Sequence, residues 1–426
     1  MIMICFPSMS QSKIDIVKLN GPGDDYFGKP YKADSLVVTG ECVENDLFGR
    51  MSSHSGDSEI LLNVKYLDAS QTVILNENFP EGINVIDNYA FRHCRELEHI
   101  ILPATTNRLG HHLFEDCPKL HTVVLPDSLV EIEQMALADC PTLRNIIINT
   151  SNKSFSTLNK SLFDKNKTRL YFVSPTSSGE YVLLSSVSTI EYGAFYKCDK
   201  IDRVKSSNVL KNIEDFSFYG CSSLSHIELA KTLNKIGDFA FFKCRSLKEI
   251  TLPKALNKFG KFAFSGCDGM EIVNVESGYF DNNFLFAGCY NLKSFVATEV
   301  NAHFSSKDGV LFDKSVKTLL AYPNAKGSDY KVPDSVDKIG VCAFYDCKNL
   351  KKISLPAQIT AIERASFSNC KQLENIRIYA VNPPSVQKSS FAMVDKRKCV
   401  LSVPNNSVES YKKHPIWGAF ANIVGF

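Results

Sequence analysis

The stretch Ile236-Gly-Asp-Phe-Ala-Phe-Phe-Lys-Cys244-Arg-Ser-Leu-Lys-Glu-Ile250-Thr-Leu252-Pro253 decides the fold, because its pattern recurs along most of the chain. Counted from Cys244, the pattern has Ile eight residues before, Ala and Phe four and three before, and Leu, Ile, Leu and Pro three, six, eight and nine after. Self-similarity at one fixed spacing indicates a repeat protein, in which each coil packs only on its neighbours. We therefore expect one stack of coils rather than the two or three domains that 426 residues would otherwise suggest.

The cysteines mark the period of the repeat. Of the 14 cysteines, ten occupy one position of successive copies, and the steps between them are 22 or 23 residues except for two of 58. These ten are Cys94, Cys117, Cys140, Cys198, Cys221, Cys244, Cys267, Cys289, Cys347 and Cys370. A cysteine fixed once per coil is most simply a small buried apolar side chain. Disulfides between neighbouring coils are the alternative, because stacked strands lie only about 4.8 Å apart.

Two faces of each coil follow from the pattern. Residues six and eight after the cysteine, such as Ile250 and Leu252, point to one side of a strand because side chains alternate. Pro253 ends that strand, since proline has no N–H to donate. The Gly-x-x-Ala-Phe segment before the cysteine favours a short helical turn. The sequence thus predicts an α/β repeat solenoid, with short parallel strands on one face and short helical turns on the other.

The two steps of 58 residues hold related insertions, at about residues 151–175 and 300–324. Each contains the sequence Leu-Phe-Asp-Lys, at 162–165 and 311–314, between short apolar runs. Two strands around an Asp-Lys turn would make each insertion a β-hairpin. Three cysteines around the first insertion map onto three around the second with a constant offset of 149 residues, so a larger block has been duplicated.

The repeat proper occupies residues 81–400, and the two ends differ from it. Residues 1–34 lack periodicity and are predicted to be a flexible lead-in. Residues 35–80 and 401–426 are predicted to be the N-terminal and C-terminal caps, because a solenoid must cover its first and last apolar coils. The bulky residues of the second cap are Tyr411, Trp417, Phe420 and Ile423. We interpret them as a lid over the final coil; an aromatic platform for a ligand is the alternative.

The pattern Ile-Gly-x-x-Ala-Phe-x-x-Cys-x-x-Leu-x-x-Ile-x-Leu-Pro resembles that of the BspA-like leucine-rich repeat family, over about residues 60–425. The Leu-Phe-Asp-Lys insertions and the terminal Val-Pro…Tyr…Trp…Phe segment are also similar to that family. The resemblance implies a right-handed leucine-rich repeat stack. It further implies a secreted or cell-surface protein that binds host matrix proteins or other cells. Fold kinship alone does not fix function, so the partner is an expectation.

The outward strand positions, five and seven residues after each cysteine, are the candidate partner-binding surface. In the first three coils these residues are His99, Ile101, Thr122, Val124, Asn145 and Ile147. The three apolar ones form a vertical strip that could contact a protein. The alternative is that β-branched residues stand there only because they favour a sheet. Later coils carry mixed polar and charged residues at these positions, without the basic residues and interleaved aromatics of a nucleic-acid groove.

Charge and hydropathy give no support for nucleic-acid binding or for a membrane-spanning protein. A formal charge of +2 and an isoelectric point near 7.8 give no argument for nucleic acid or an anionic membrane. No apolar run reaches the roughly 18 to 20 residues of a membrane helix. The start, Met1–Pro7, lacks the basic head and apolar length of a signal peptide, so none is visible although a surface or secreted location is expected.

Catalytic and metal-binding motifs are absent except for one weak cluster. The chain has no phosphate-binding glycine loop, His-Glu-x-x-His helix or Gly-x-Ser-x-Gly elbow. Residues His111, His112, Glu115, Cys117 and His121 have spacings that zinc ligands can adopt. However, Cys117 is a repeat cysteine and is expected to face the core. We expect no catalytic residue, no metal and no cofactor.

Four functions stay open from the sequence. The first is a non-catalytic solenoid that binds a protein partner, such as host extracellular matrix or a cell surface. The second is a glycan-binding surface protein, in which Tyr171, Tyr322 and Tyr330 near the insertions would stack on sugars. The third is a structural spacer. The fourth, an enzyme, has the least support, since no reactive group stands apart from the repeat.

Overall fold

The computed structural model describes residues 85–426 in full and, before them, only the paths of four strands. Strands are numbered in chain order, and these four are β1 (Ile2–Phe6), β2 (Asp15–Leu19), β3 (Ser35–Val43) and β4 (Tyr66–Leu75). β1 pairs antiparallel with β2 and β3, whereas β3 and β4 are parallel. The remainder of the predicted flexible lead-in, 1–34, and of the predicted N-terminal cap, 35–80, lies outside the described residues.

The chain divides into two compact units. The first consists of Met1–Gly179, Leu183–Ile201 and Phe216–Cys221. The second consists of Glu180–Val182, Asp202–Asp215 and Ser222–Phe426. Each unit has the same construction, because each is made of copies of the same coil.

Short parallel strands form one face of the coils, as the sequence predicts. In the first unit they are β6 (His99–Ile101), β8 (Thr122–Leu125) and β10 (Asn145–Ile148), and β4 pairs in parallel with β6. In the second unit, where the first two begin at the boundary, they are β14 (Gly179–Val182), β16 (Ile201–Lys205), β18 (His226–Glu228), β20 (Glu249–Leu252), β22 (Ile272–Val275), β23 (Ser294–Val296), β27 (Asp329–Lys331), β29 (Lys352–Leu355), β31 (Asn375–Ile378), β33 (Val400–Val403) and β34 (Asn422–Gly425). Ile250 and Leu252 of β20 are 1% and 0% exposed, so the predicted inward positions are confirmed.

A second set of parallel strands, each two residues long, lies elsewhere on the coil. In the first unit these are β5 (Val85–Ile86), β7 (Arg108–Leu109), β9 (Glu131–Ile132) and β15 (Thr189–Ile190). In the second unit they are β17 (Asn212–Ile213), β19 (Lys235–Ile236), β21 (Lys258–Phe259), β28 (Lys338–Ile339), β30 (Ala361–Ile362) and β32 (Ser385–Val386). The second residue is buried in seven of these ten strands, and Ile236 of β19 is fully buried.

The predicted helical turns before the cysteines are wrong: in the described coils these segments are chains of tight turns. In the coil of Cys244, Phe242 N–H donates to the carbonyl of Phe239 at 3.1 Å, a bond across three residues. The amides of Phe239 and Phe241 donate instead to the next coil, so no helical ladder can form. Phe239 and Lys243 adopt left-handed φ angles of 54° and 60°, which interrupt a helix at both ends of the segment.

The same two left-handed positions, five and one residue before the cysteine, recur through the described coils. The earlier position carries aromatic side chains in several coils, although such residues are uncommon at positive φ. In the second unit the rings of Phe239 and Phe262 stack at 5.2 Å and those of Phe262 and Phe284 at 5.0 Å. Stacking between coils therefore offsets the local backbone strain.

Each insertion is a three-stranded antiparallel unit, one strand more than the predicted hairpin. The first consists of β11 (Phe155–Leu158), β12 (Ser161–Asp164) and β13 (Arg169–Val173), and the second of β24 (Phe304–Lys307), β25 (Val310–Asp313) and β26 (Thr318–Ala321). The aspartate of the Asp-Lys turn fixes the loop. Asp164 Oδ1 accepts the Thr168 amide at 2.6 Å, and Asp313 Oδ1 accepts the Lys317 amide at 2.7 Å.

Each unit has a core of stacked apolar side chains. In the second unit Phe264 stacks between Phe241 and Phe286, with ring centroids 5.1 and 5.4 Å apart. The repeat cysteines line the same interior, and the Cys267 Sγ donates to the carbonyl of Phe241 at 3.1 Å. Each buried Phe contributes about 1.5 to 3 kcal/mol before chain entropy is subtracted, so stability comes from many coils together.

The C-terminal segment contains the only α-helix of the described residues. The α-helix α1 spans Val408–Lys413, and 3₁₀ turns lie at Lys388–Phe391, Asn405–Ser407 and Trp417–Ala419. Trp417 is fully buried, its ring packs 5.1 Å from that of Phe391, and its Nε1–H donates to the Pro384 carbonyl at 3.0 Å. A buried indole cannot serve as a surface platform, so the ligand-platform interpretation of this segment is wrong.

Candidate binding face of the first three coils

The apolar outward residues of the first three coils lie side by side. β8 stands between β6 and β10, and Val124 is opposite both Ile101 and Ile147 in the strand register. Ile147 is 50% exposed, while Ile101 and Val124 are half-buried. Since adjacent strands are about 4.8 Å apart, the three side chains form a continuous strip across three coils.

The polar outward residues form a second row beside this strip. Thr122 is opposite both His99 and Asn145. The sequence places Thr122 on the surface, but it is only 5% exposed. Its Oγ1 lies 3.0 Å from His121 Nδ1 and accepts a hydrogen bond from Asn145 Nδ2 at 3.3 Å. Thr122 therefore links neighbouring coils, and the exposed polar surface comes from Asn145 and, in part, His99.

Charged residues near the start of these strands are paired between coils. Lys119 Nζ lies 2.6 Å from Glu96 Oε2, and Arg95 lies 3.1 Å from Asp116. Hydrogen bonds from His93 and Arg95 lower the pKa of Asp116. Exposed pairs of this kind contribute little to stability, about 0 to 1 kcal/mol each. They border the strip on one side with neutralised polar residues, as is common at apolar contact sites.

The histidine and cysteine cluster of this region does not converge on one point. Cys117 is fully buried and its Sγ donates to the carbonyl of Phe91 at 3.0 Å. His112 Nδ1 lies 3.6 Å from Glu115, and burial lowers the pKa of His112. Within residues 85–426, no group of three or more His, Cys, Asp or Glu side chains is placed to hold a metal ion.

The tyrosines proposed as sugar-stacking platforms are engaged in packing. Tyr322 is 3% exposed, and its ring packs 4.8 Å from those of both Tyr330 and Phe344. Tyr171 is half-buried and packs edge-on against Phe155 at 5.3 Å. Tyr322 therefore offers no face to a ligand, and the half-buried Tyr171 and Tyr330 are what remains of the three tyrosines named for the glycan hypothesis.

The twelve described cysteines are free and buried. Burial raises the pKa of Cys198 and Cys267, because a thiolate is poorly solvated in an apolar interior. Burial, followed by the charge of Asp395, raises the pKa of Cys399 to about 12. These thiols have the properties of inert structural cysteines rather than of nucleophiles.

Stability is expected to fall steeply in alkali as a result. The folded pKa of nine of the buried thiols, those of Cys198, Cys267 and Cys399 among them, lies above the ordinary value of 9.0, so the unfolded chain loses these protons first. The stabilising effect is complete below about pH 9 and is lost as pH rises toward the folded pKa, by up to about 1.4 kcal/mol per thiol and pH unit. Urea titrations from pH 7 to 11 measure this slope.

Cys267→Ala supplies the matched control for this prediction. Removing one buried thiol should reduce the slope of the unfolding free energy against pH by the contribution of one thiol, up to about 1.4 kcal/mol per pH unit. A free energy of unfolding that stays constant up to pH 11 would contradict the burial of the thiols.

Several solved structures and one family model are similar to this chain. Within the described residues, no helix is long and apolar enough to cross a membrane. Among solved structures, the chain is similar to a leucine rich cell surface protein of Faecalibacterium prausnitzii (19% identity, 80% of this chain and 82% of that one, TM-score 0.41). It is also similar to the pneumococcal vaccine antigen PcpA, with 17% identity over 85% of this chain and 77% of that one and a TM-score of 0.42. A leucine-rich repeat protein of Bacteroides ovatus has 22% identity over 85% of this chain and 81% of its own, with a TM-score of 0.42.

A comparison with curated proteins finds no match. The family model described as "BspA type Leucine rich repeat region" matches in six copies, over residues 70–180, 171–293 and 321–415. These ranges cover most of the chain, and they coincide with the coils seen in the structure. The chain belongs to the BspA-type leucine-rich repeat family.

Proposed function

We propose that this chain is a non-catalytic binding protein, secreted or held at a cell surface, that recognises a protein partner. The partner class is host extracellular matrix or a cell-surface protein. The observation that carries the proposal is the partly exposed strip of Ile101, Val124 and Ile147, aligned across three coils and bordered on one side by paired charges. Family membership supports a scaffold of this kind, since leucine-rich repeat proteins generally bind through exposed faces of the stack.

The caps belong to the same proposal. We infer that residues 401–426 cover the last coil, because Trp417 and Phe420 pack on Phe391, an aromatic ring of the second unit's core. Residues 35–80 would cover the first coil, since β4 continues the parallel sheet beyond β6. With both ends covered, recognition would fall to the outward faces. The second candidate function is a structural spacer. A native chain that binds none of the matrix proteins tested would favour it.

Changing Ile101, Val124 and Ile147 together to serine tests the proposal. We expect at least about a tenfold weaker affinity for the matrix protein that the native chain binds, because a few central apolar residues usually dominate an interface. Binding to a panel of purified, immobilised matrix proteins measures the effect. Circular dichroism and thermal unfolding check that the variant is folded.

A matched control changes three exposed valines outside the strip, Val182, Val300 and Val381, to serine. These side chains are 57%, 92% and 55% exposed, more than those of the strip, so the control exchanges the same number of apolar residues at more exposed positions. Its affinity should stay within about twofold of the native value. Equal affinities for the native chain and the strip variant would reject the strip as the binding site.

A further inference from the structure

Charge is distributed very unevenly along this chain. Residues 347–426 contain twelve Lys and Arg against four Asp and Glu, a formal charge of +8, whereas the whole chain carries only +2. The preceding residues 1–346 therefore carry −6. A near-neutral total hides a strongly basic end, and such asymmetry is a physical argument about binding partners.

Part of this charge lies on the strand face of the last coils. Lys331, Ser354, Arg377 and Ser402 are neighbours in register across β27, β29, β31 and β33. Beside this row, Lys352 is opposite Asn375. The intervening residues Ile353 and Ile376 are buried, so the polar row faces outward.

Three more exposed lysines, Lys348, Lys351 and Lys371, lie one to four residues before the starts of β29 and β31. Within residues 85–426, no ion pair involves these three lysines, and none involves Lys352 or Arg377. Lys351, Lys352 and Lys371 therefore keep their charges available to a ligand, whereas Lys348 Nζ also lies over the Tyr290 ring, 3.7 Å from its centroid. The six cations of this surface, Lys331, Lys348, Lys351, Lys352, Lys371 and Arg377, are called the basic face below.

Two carboxylates, Asp329 and Glu374, lie close to the basic face. Asp329 is opposite Lys352 in the strand register, and Glu374 N–H donates to the Lys351 carbonyl at 2.8 Å. Neither carboxylate is within ion-pair distance of a described lysine or arginine. Lys331, in contrast, lies 3.6 Å from Asp334, and both side chains are at least 70% exposed. Such an exposed pair is weak and is readily exchanged for a ligand anion.

Arg377 is held in place by aromatic rings. Its guanidinium carbon lies 4.1 Å from the centroid of the Phe426 ring and 5.8 Å from that of Tyr379. Its Nε is buried and finds no hydrogen-bond acceptor among the described residues. A planar guanidinium held by stacking is well suited to pair with an oxyanion.

We propose that the basic face binds an anionic polysaccharide, whose sulfate or carboxylate groups pair with the lysines and Arg377. Ser354, Ser402 and Asn375 stand between the cations, and their hydroxyl and amide groups can donate to and accept from sugar hydroxyls. A single-stranded nucleic acid would need aromatic rings interleaved with the cations. Here rings contact only two of the six cations: Tyr290 lies against Lys348, and Tyr379 and Phe426 lie against Arg377.

Binding to immobilised heparin at about 0.15 M NaCl tests the proposal, with salt added stepwise to show the electrostatic contribution. We expect the full chain to bind, and the triple variant Lys348→Gln, Lys352→Gln and Lys371→Gln to bind at least about tenfold more weakly. The control variant carries Lys153→Gln, Lys231→Gln and Lys254→Gln, three exposed lysines outside the basic face. It loses the same net charge and should change by less than about twofold.

Further probes identify the source of the negative charge. Hyaluronan carries carboxylates without sulfate. If the chain binds hyaluronan as tightly as heparin, carboxylates are the groups recognised. If it binds hyaluronan more weakly, sulfate groups are. Dextran, which is neutral, should not bind.

Three results would each overturn the proposal: no binding to heparin or hyaluronan, equal losses of affinity in the two triple variants, or tighter binding to DNA oligonucleotides. The serine variant of Ile101, Val124 and Ile147 should retain heparin binding, which separates this site from the proposed protein-binding strip.

Discussion

Replacing Phe264 with alanine is expected to lower the free energy of unfolding by about 3 to 5 kcal/mol. Phe264 is fully buried and stacks between Phe241 and Phe286 with ring planes only 5° and 8° from parallel. Truncation removes ring contacts on both sides and leaves a cavity in the middle of the stack. The neighbouring coils cannot close this cavity, because backbone hydrogen bonds between coils fix their spacing.

Urea denaturation followed by far-ultraviolet circular dichroism measures this loss. Val300→Ala is the control, since this side chain is 92% exposed and should change stability by less than about 0.5 kcal/mol. A loss of less than about 1 kcal/mol for Phe264→Ala would mean that the aromatic stack does not hold the coils together.

Replacing Trp417 with alanine should cost a similar amount, about 3 to 5 kcal/mol. The indole packs against Phe391, Tyr411 and Phe420, and its loss would open the apolar end of the second unit. It would also leave the Pro384 carbonyl without its donor. Because an uncovered solenoid end exposes apolar surface, we also expect aggregation on warming.

Trp417→Phe separates the two contributions. Phenylalanine keeps most of the ring contact and loses the indole N–H, so the expected cost is only about 1 to 2 kcal/mol. Circular dichroism during urea denaturation compares the three chains, since Trp417 is the only tryptophan and its fluorescence disappears in both variants. A near-neutral Trp417→Ala would contradict the proposed role of residues 401–426 as a cap.

Sequence reasoning succeeded where one coil contains all the information. The alternation of Ile250 and Leu252 with polar residues, followed by Pro253, sufficed to place strand β20 and its inward side. The repeat cysteine was interpreted as an interior residue for a similar reason: a residue that recurs once per coil occupies the same environment each time. Family membership followed from the same positions.

It failed where the structure depends on the neighbouring coil. The Gly-x-x-Ala-Phe segment has helix-compatible spacing, but the amides of Phe239 and Phe241 donate to the next coil, which a local pattern cannot show. Thr122 lies on an outward position and is nevertheless covered by His121 and Asn145. Tyr322 was expected at the surface and packs inside against Phe344.

The basic face was missed for a different reason. The net charge of +2 describes the whole chain. In that sum, acidic residues elsewhere cancel the excess of lysine and arginine in the last coils. Counting charge within successive coils would have found the asymmetry. The register that brings Lys331, Ser354 and Arg377 into one row could only come from the structure.

Alkylation of the native chain tests most directly whether each cysteine faces the interior of a stacked coil. A Cys5→Ser and Cys42→Ser background confines the experiment to the twelve cysteines that the structure describes as buried. We predict that iodoacetamide at pH 8, read by peptide mass spectrometry, leaves all twelve unmodified until urea unfolds the chain. Rapid labelling of the repeat cysteines in the folded protein would contradict the stack and, with it, the assignment of binding to its outer faces.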